Sequence, residues 1–187
     1  FAHEEDDEDI VFTHVTLVPY SKNGEQKTKP TQHSVKELRS IGLQPDVLVG
    51  RCEDELDPST KEKIALFCDV PTDAVFSNPD VEDIYHVPLM VEEEGLDEYV
   101  MDRFDLTDDA LPADERDNTW RDLVTQDTHG EVDIALVGKY DLEDAYMSVN
   151  EALKHAGLEK NVDVNVRWVD SEQMDADHEQ RLREADG

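Results

Sequence analysis

Basic residues are scarce in this chain: 17 Lys+Arg stand against 48 Asp+Glu in 187 residues, a formal net charge of −31 at pH 7. So sparse a cationic complement excludes nucleic-acid binding through a general positive surface. No run of apolar residues approaches the 18 needed for a membrane helix, and the opening FAHEEDDED has no basic n-region of a signal peptide. A soluble, cytoplasmic protein without a membrane partner is therefore expected. There are only 2 cysteines, Cys52 and Cys68, with no CxxC spacing. That pattern points to free thiols in a reducing compartment rather than to a disulfide framework. The first residue is Phe and the last five are READG, which suggests a piece of a longer polypeptide.

A hydrophobic content of 37% is low but sufficient for a core. The apolar residues recur in periodic blocks, IVFTHVTLVPY, KIALFC, VDIALVGKY and VDVNVRWV, which a disordered acidic tail lacks. The chain is expected to fold. Its carboxylates run through the whole length, 27 Asp and 21 Glu. Dense surface carboxylates of this kind keep a protein hydrated in molar salt, where the Debye length of about 3 Å screens their repulsion. EEDDED at 4–9 and VEEEG at 91–95 are the alternative, loose cation sites, but neither has the alternating ligands and turn glycine of a calcium loop.

Against this background residues 22–39 stand out. They hold Lys22, Lys27, Lys29, Lys36 and Arg39 with only Glu25 and Glu37, five minus two, a local charge of +3. Eighteen residues at the chain average carry about −3, so this is where an anion is drawn rather than repelled. A phosphate or carboxylate ligand is the functional reading, and a fluctuation of surface charge is the bland one.

Residues 10–20 read as a strand and SKNGEQKTKPTQ as a loop in which Pro30 pushes Lys29 toward an extended conformation. A helix follows, capped by Ser34 or Thr31, with Val35, Leu38 and Ile41 on one face and Gly42 as its stop. A strand over 44–51, a helix opened by Asp57-Pro58 and a strand around Ala74–Phe76 make a βαβ unit, with a turn at Asn78-Pro79. An amphipathic helix is expected over 96–104, with Leu96, Tyr99, Val100 and Phe104 as its stripe. Residues 105–131 read as a linker with one short helix, TWRDLVTQ. A second βαβ start has a strand at 132–138, a helix over 141–155 and a strand at 162–169. That helix shows Leu142, Ala145, Tyr146, Val149, Leu153 and Ala156 on one side, with Gly157 as its stop. The fold class is α/β with parallel sheets.

The block GEQKTKPTQHSVKELRSIG, with LVPY before it and EKIALFCDV and VDIALVGKYDLEDAYMSVNEALKHAG after it, resembles the CTP synthase family. The likeness runs over residues 10–104 and 132–172. It implies that residues 1–104 are the end of an amidoligase (synthetase) domain, 105–131 an interdomain linker, and 132–187 the start of a flavodoxin-like class I glutaminase domain. It implies amination of UTP to CTP with ATP and Mg2+, glutamine or ammonia as nitrogen source, CTP as feedback inhibitor, GTP as activator and a homotetramer.

The family's UTP and CTP loop falls on Lys27, Thr28, Lys29, Pro30, Thr31 and Gln32, with Lys63 as a further nucleotide ligand. Lysines that neutralise triphosphate oxygens and hydroxyl or amide groups that donate to them suit that task. The ATP pocket falls on Pro79, Asp80 and Val81. Arg51, at a strand's C-terminal end, either touches a phosphate or pairs with Glu53 or Glu55. No G-x-x-x-x-G-K-[ST] loop occurs in these residues. The resemblance therefore puts the phosphate loop upstream and the Cys-His-Glu triad downstream, leaving no catalytic or metal residue within this stretch and the stretch itself inactive. A nucleotide-sensing module without chemistry is the alternative of a different class, and a purely acidic interaction protein a third.

Overall fold

The computed structural model describes residues 4–6, 8–106, 119–139, 143–172 and 175–187, and the chain divides into two compact units, Phe1–Asp117 and Asn118–Gly187. The centre of the linker and the expected helical positions Asp141 and Leu142 lie outside the described residues.

In the first unit, β1 (Thr13–Leu17), β2 (Val47–Cys52) and β3 (Val75–Pro79) form a parallel sheet in the order β1-β2-β3. The crossovers are α1 (Lys29–Ser40) and α2 (Pro58–Cys68). Beyond β3 come α3 (Val87–Glu93) and α4 (Leu96–Arg103). The central strand explains the layering. Val47 and Val49 point to one face, where they bury with Phe76 against Val11, Leu96 and Tyr99. Leu48 and Cys52 point to the other and join Val18, Val35, Leu56, Ile64, Ala65, Cys68 and Val75. A strand buried on both faces needs a continuous apolar run, and VLV supplies it. Both cysteines are free and buried, as expected.

Several expectations are corrected. α1 begins at Lys29, with Thr28 as its N-cap, so Pro30 lies in the first helical turn and Lys29 is helical rather than extended. Proline is tolerated there because that N–H has no intrahelical partner in any case. Ile41 follows the helix as its C-cap and is 73% exposed, not on the packed face. β3 runs through Asn78-Pro79 instead of turning there, which an edge strand allows because no ladder bond needs the proline nitrogen.

In the second unit, α5 (Thr119–Thr125) precedes β4 (Glu131–Gly138), α6 (Met147–Lys160), β5 (Asp163–Asp170) and α7 (Ala176–Glu184). β4 and β5 pair in parallel from Glu131↔Asp163 to Gly138↔Asp170. On the other edge of β4, Ala135 donates to the Gly187 carbonyl at 2.8 Å and Asp186 N–H donates to the Asp133 carbonyl at 2.8 Å. Gly157 does not end α6. It is buried inside the helix, where a Cβ would stand 2.7 Å from the Val162 carbonyl and 2.8 Å from Val164 Cγ2, and Asn161 at φ 60° forms the cap. Gly157 is buried and Tyr146, Asn150, Glu151, Leu153 and Leu158 are half-buried, while Ala145, Val149 and Ala156 are exposed, so the packed face is rotated from the expected one.

Candidate functional site

The ends of β1 and β2 lie at the C-terminal edge of the sheet, where open α/β sheets bind ligands. From β1 the chain enters the basic loop, which folds on itself. Ser21 N–H donates to the Glu25 carbonyl at 2.8 Å, and Lys27 N–H donates to the Pro19 carbonyl at 2.8 Å. From β2 it enters a short loop whose Leu56 packs onto Gly50, where any Cβ would come within 2.9 Å of Leu56 Cδ1. Between these loops opens a cleft of about 630 Å³.

One wall carries Gly24, Glu25, Gln26, Lys27, Thr28 and Lys29, and the other Asp57, Ser59, Thr60 and Lys63. Both walls end in helix starts, α1 after Thr28 and α2 after Asp57. The positive end of the helix dipole at each start favours an anion, although Pro30 and Pro58 carry no N–H and Thr60 N–H donates to the Asp57 carbonyl at 2.8 Å. Lys27 Nζ reaches Glu25 Oε2 at 2.8 Å. That hydrogen bond, then the charge of Lys27 and more weakly that of Lys63, holds the Glu25 carboxyl below its ordinary range. Lys29 and Lys63 form no ion pair among the described residues.

Of the expected nucleotide ligands, Lys27, Thr28, Lys29 and Lys63 thus meet around one cleft, although Lys63 comes from a helix 34 residues beyond Lys29. Gln32 donates to Thr28 Oγ1 at 3.1 Å and lines a neighbouring hollow of about 280 Å³ with Lys29, His33 and Lys36. Pro30 stands at the helix start. The Thr31 hydroxyl is fully buried, donating to the Leu17 carbonyl at 3.3 Å and accepting from Thr16 at 3.4 Å, so it fastens α1 to β1. Arg39 also serves the fold: it donates to the Cys68 carbonyl and, at 2.6 Å, to Gln44 Oε1.

A second cleft, of about 340 Å³, is lined by Arg51, Asn78, Pro79, Asp80, Val81, Ile84 and Val87. Arg51 pairs with Asp80 at 2.8 Å, not with Glu53 or Glu55. Asp80 N–H is taken by the Cys52 carbonyl at 2.9 Å. Among the described residues no three His, Cys, Asp or Glu side chains gather to hold a metal. No helix there is long and apolar enough to cross a membrane.

The family described as CTP synthase N-terminus matches residues 1–106. The chain belongs to the CTP synthase family. It is 82% identical over its whole length to the CTP synthase of Haloarcula hispanica and 78% to that of Halobacterium salinarum, in each case over 34% of the relative. With the CTP synthase of Archaeoglobus fulgidus it shares 55% identity over 92% of this chain and 32% of that one. The chain therefore spans about a third of the length of these CTP synthases. The halophilic sources of the first two agree with the salt-adapted composition.

Residues that the sequence reading did not single out also line the cleft: Gly24, Glu25, Gln26, Asp57, Ser59 and Thr60. Asp57-Pro58 was legible only as a helix start, yet a helix start beside a basic loop is itself an anion signal.

Proposed function

We propose that these residues form the pyrimidine-nucleotide site, and part of the ATP site, of an enzyme that aminates UTP to CTP. The observation that carries this reading is the convergence of Lys27, Lys29 and Lys63 with two helix starts on one cleft, in a chain whose net charge is −31. A triphosphate needs several cations at contact distance, and among the described residues the stretch 22–39 with its local charge of +3 is where one is drawn. Lys27, Lys29 and Lys63 neutralise phosphate oxygens. Thr28 and Gln32 orient them, and Pro30 and Thr31 act by setting where α1 begins. The same lysines receive CTP as inhibitor, because substrate and product share the triphosphate.

The second cleft suits the base of ATP. Pro79, Val81, Ile84 and Val87 offer an apolar wall, Asp80 a carboxylate, and Arg51 a cation at the rim. ATP supplies the phosphoryl group that makes O4 of UTP a leaving group, and ammonia from glutamine then attacks C4 and expels phosphate. Among the described residues no three His, Cys, Asp or Glu side chains gather to hold Mg2+.

Residues 132–187 are read as the start of the glutaminase domain. The pairing of Gly187 beside β4, opposite β5, supports a flavodoxin-like 2-1-3 strand order for it. Glutamine, GTP as activator and a homotetramer belong to the same reading.

The test is a chimera in which these 187 residues replace the matching segment of the Haloarcula hispanica enzyme, assayed in molar KCl. UTP-, ATP- and glutamine-dependent CTP formation is expected. A chimera that folds and hydrolyses glutamine yet makes no CTP from saturating UTP would refute the reading.

A further inference from the structure

Resting on the reading of the cleft as a triphosphate site, we propose that Gln26 is a positioning residue that sets the spacing between the cleft's two lysine-bearing walls. Its side-chain amide bridges them. Nε2 donates to the Glu55 carbonyl at 2.8 Å and to Tyr20 Oη at 3.3 Å, while Oε1 accepts from Asp57 N–H at 2.9 Å. The orientation is fixed by its partners, since a carbonyl only accepts and an N–H only donates. Tyr20 continues the link, donating to Asp54 Oδ2 at 3.3 Å.

Among the described residues, every hydrogen bond between residues 20–28 and 53–57 runs through Gln26 or Tyr20. The loop's internal bonds give it a shape, but the amide decides where that shape sits relative to α2. Lys27 follows Gln26 directly, and Lys63 lies in the helix whose N-cap is Asp57. A displacement of the amide therefore changes the gap that a triphosphate has to span. Charge-assisted bonds have a narrow optimum of about 2.7–2.9 Å, so a shift of that gap weakens contacts made by other residues. No shorter or acidic side chain makes the same three bonds: Asn does not reach, and ionised Glu has nothing to donate.

The experiment uses the chimera in molar KCl with Gln26→Met, which keeps the stem and removes every bond. Gln26→Glu keeps only the acceptor, and Tyr20→Phe removes only the outer link. Gln26→Met is expected to raise KM for UTP and weaken CTP inhibition about tenfold, with kcat at saturating UTP and KM for ATP within about twofold. Tyr20→Phe should shift KM for UTP in the same direction but less, and it serves as the test if Gln26→Met does not fold. Gln26→Glu should resemble Gln26→Met or exceed it. Wild-type KM for UTP in Gln26→Met, or equal losses for UTP and ATP, overturns the proposal. Lys63→Ala is the control. If it raises KM for UTP while Gln26→Met does not, the positioning role alone fails; if neither does, the triphosphate reading fails with it.

Discussion

Replacing each cleft lysine in turn by alanine should produce an ordered, not a uniform, loss of UTP affinity. A lysine bonded to a phosphate oxygen contributes about 1.5–3 kcal/mol, which corresponds to roughly 10- to 150-fold in binding. Lys29 and Lys63 carry no ion pair among the described residues, so the full contact is new when the ligand arrives. Lys27 already holds Glu25 at 2.8 Å, and it gains only the difference between a phosphate and a carboxylate. Lys27→Ala should therefore be the mildest of the three. These side chains are exposed and the assay is run in molar KCl, which moves all three toward the low end of the range. The assay is the chimera's initial rate of CTP formation against UTP at one fixed KCl concentration, with CTP inhibition measured alongside. Glutamine hydrolysis without UTP serves as the control, since none of these lysines lies in the second unit. Wild-type UTP affinity in both Lys29→Ala and Lys63→Ala would refute the assignment. A Lys27→Ala loss larger than the other two would refute the role given to Glu25.

The melting temperature of the chain should rise between 0.1 M and molar KCl, as the Debye length shrinks from about 10 to about 3 Å; a flat or falling melting temperature contradicts the salt-adaptation argument. Thr31→Val removes the hydroxyl shared by Leu17 and Thr16 and should cost about 1 kcal/mol of stability in denaturant titration; an unchanged midpoint would contradict the role given to that hydroxyl in fastening α1 to β1. Burial raises the thiol pKa of both Cys52 and Cys68 above its ordinary value of 9.0. The folded state favours neutral thiols, so their contribution is complete below pH 9 and is lost as pH rises above it. A melting temperature that does not fall there, or rapid native-state labelling of either thiol, counts against the buried assignment.

The fold was legible wherever a local pattern had a single physical solution. VLV in β2 had to be buried on both faces, and Asp57-Pro58 had to open a helix. Elsewhere a local signal met a tertiary exception. Pro30 reads as a helix breaker but is neutral in a first turn, Pro79 reads as a turn but sits on an edge strand, and Gly157 reads as a stop but makes room for the strand that follows. The site divides in the same way. Lys27 and Lys29 were visible as a departure from an acidic background, whereas Lys63 stood out only through family resemblance. Gln26 had no signal at all, because the groups it binds include main-chain atoms 29 and 31 residues away that no side-chain pattern records.

The acidic surface and the cationic cleft pose one electrostatic problem. At low salt the field of a chain at −31 extends well beyond the cleft and opposes the approach of a triphosphate as well as the compact fold itself. In molar salt that field decays within about 3 Å, a length comparable to a single charge-assisted hydrogen bond. Distant carboxylates then cease to matter, and contact groups retain much of their effect. Recognition under these conditions cannot rely on long-range attraction. It depends on groups already held at contact distance: the lysines, the two helix starts, and the bonds that fix one wall of the cleft relative to the other. Positional precision replaces steering, and if the cleft is the triphosphate site proposed above, a neutral amide such as Gln26 then matters to binding alongside the lysines.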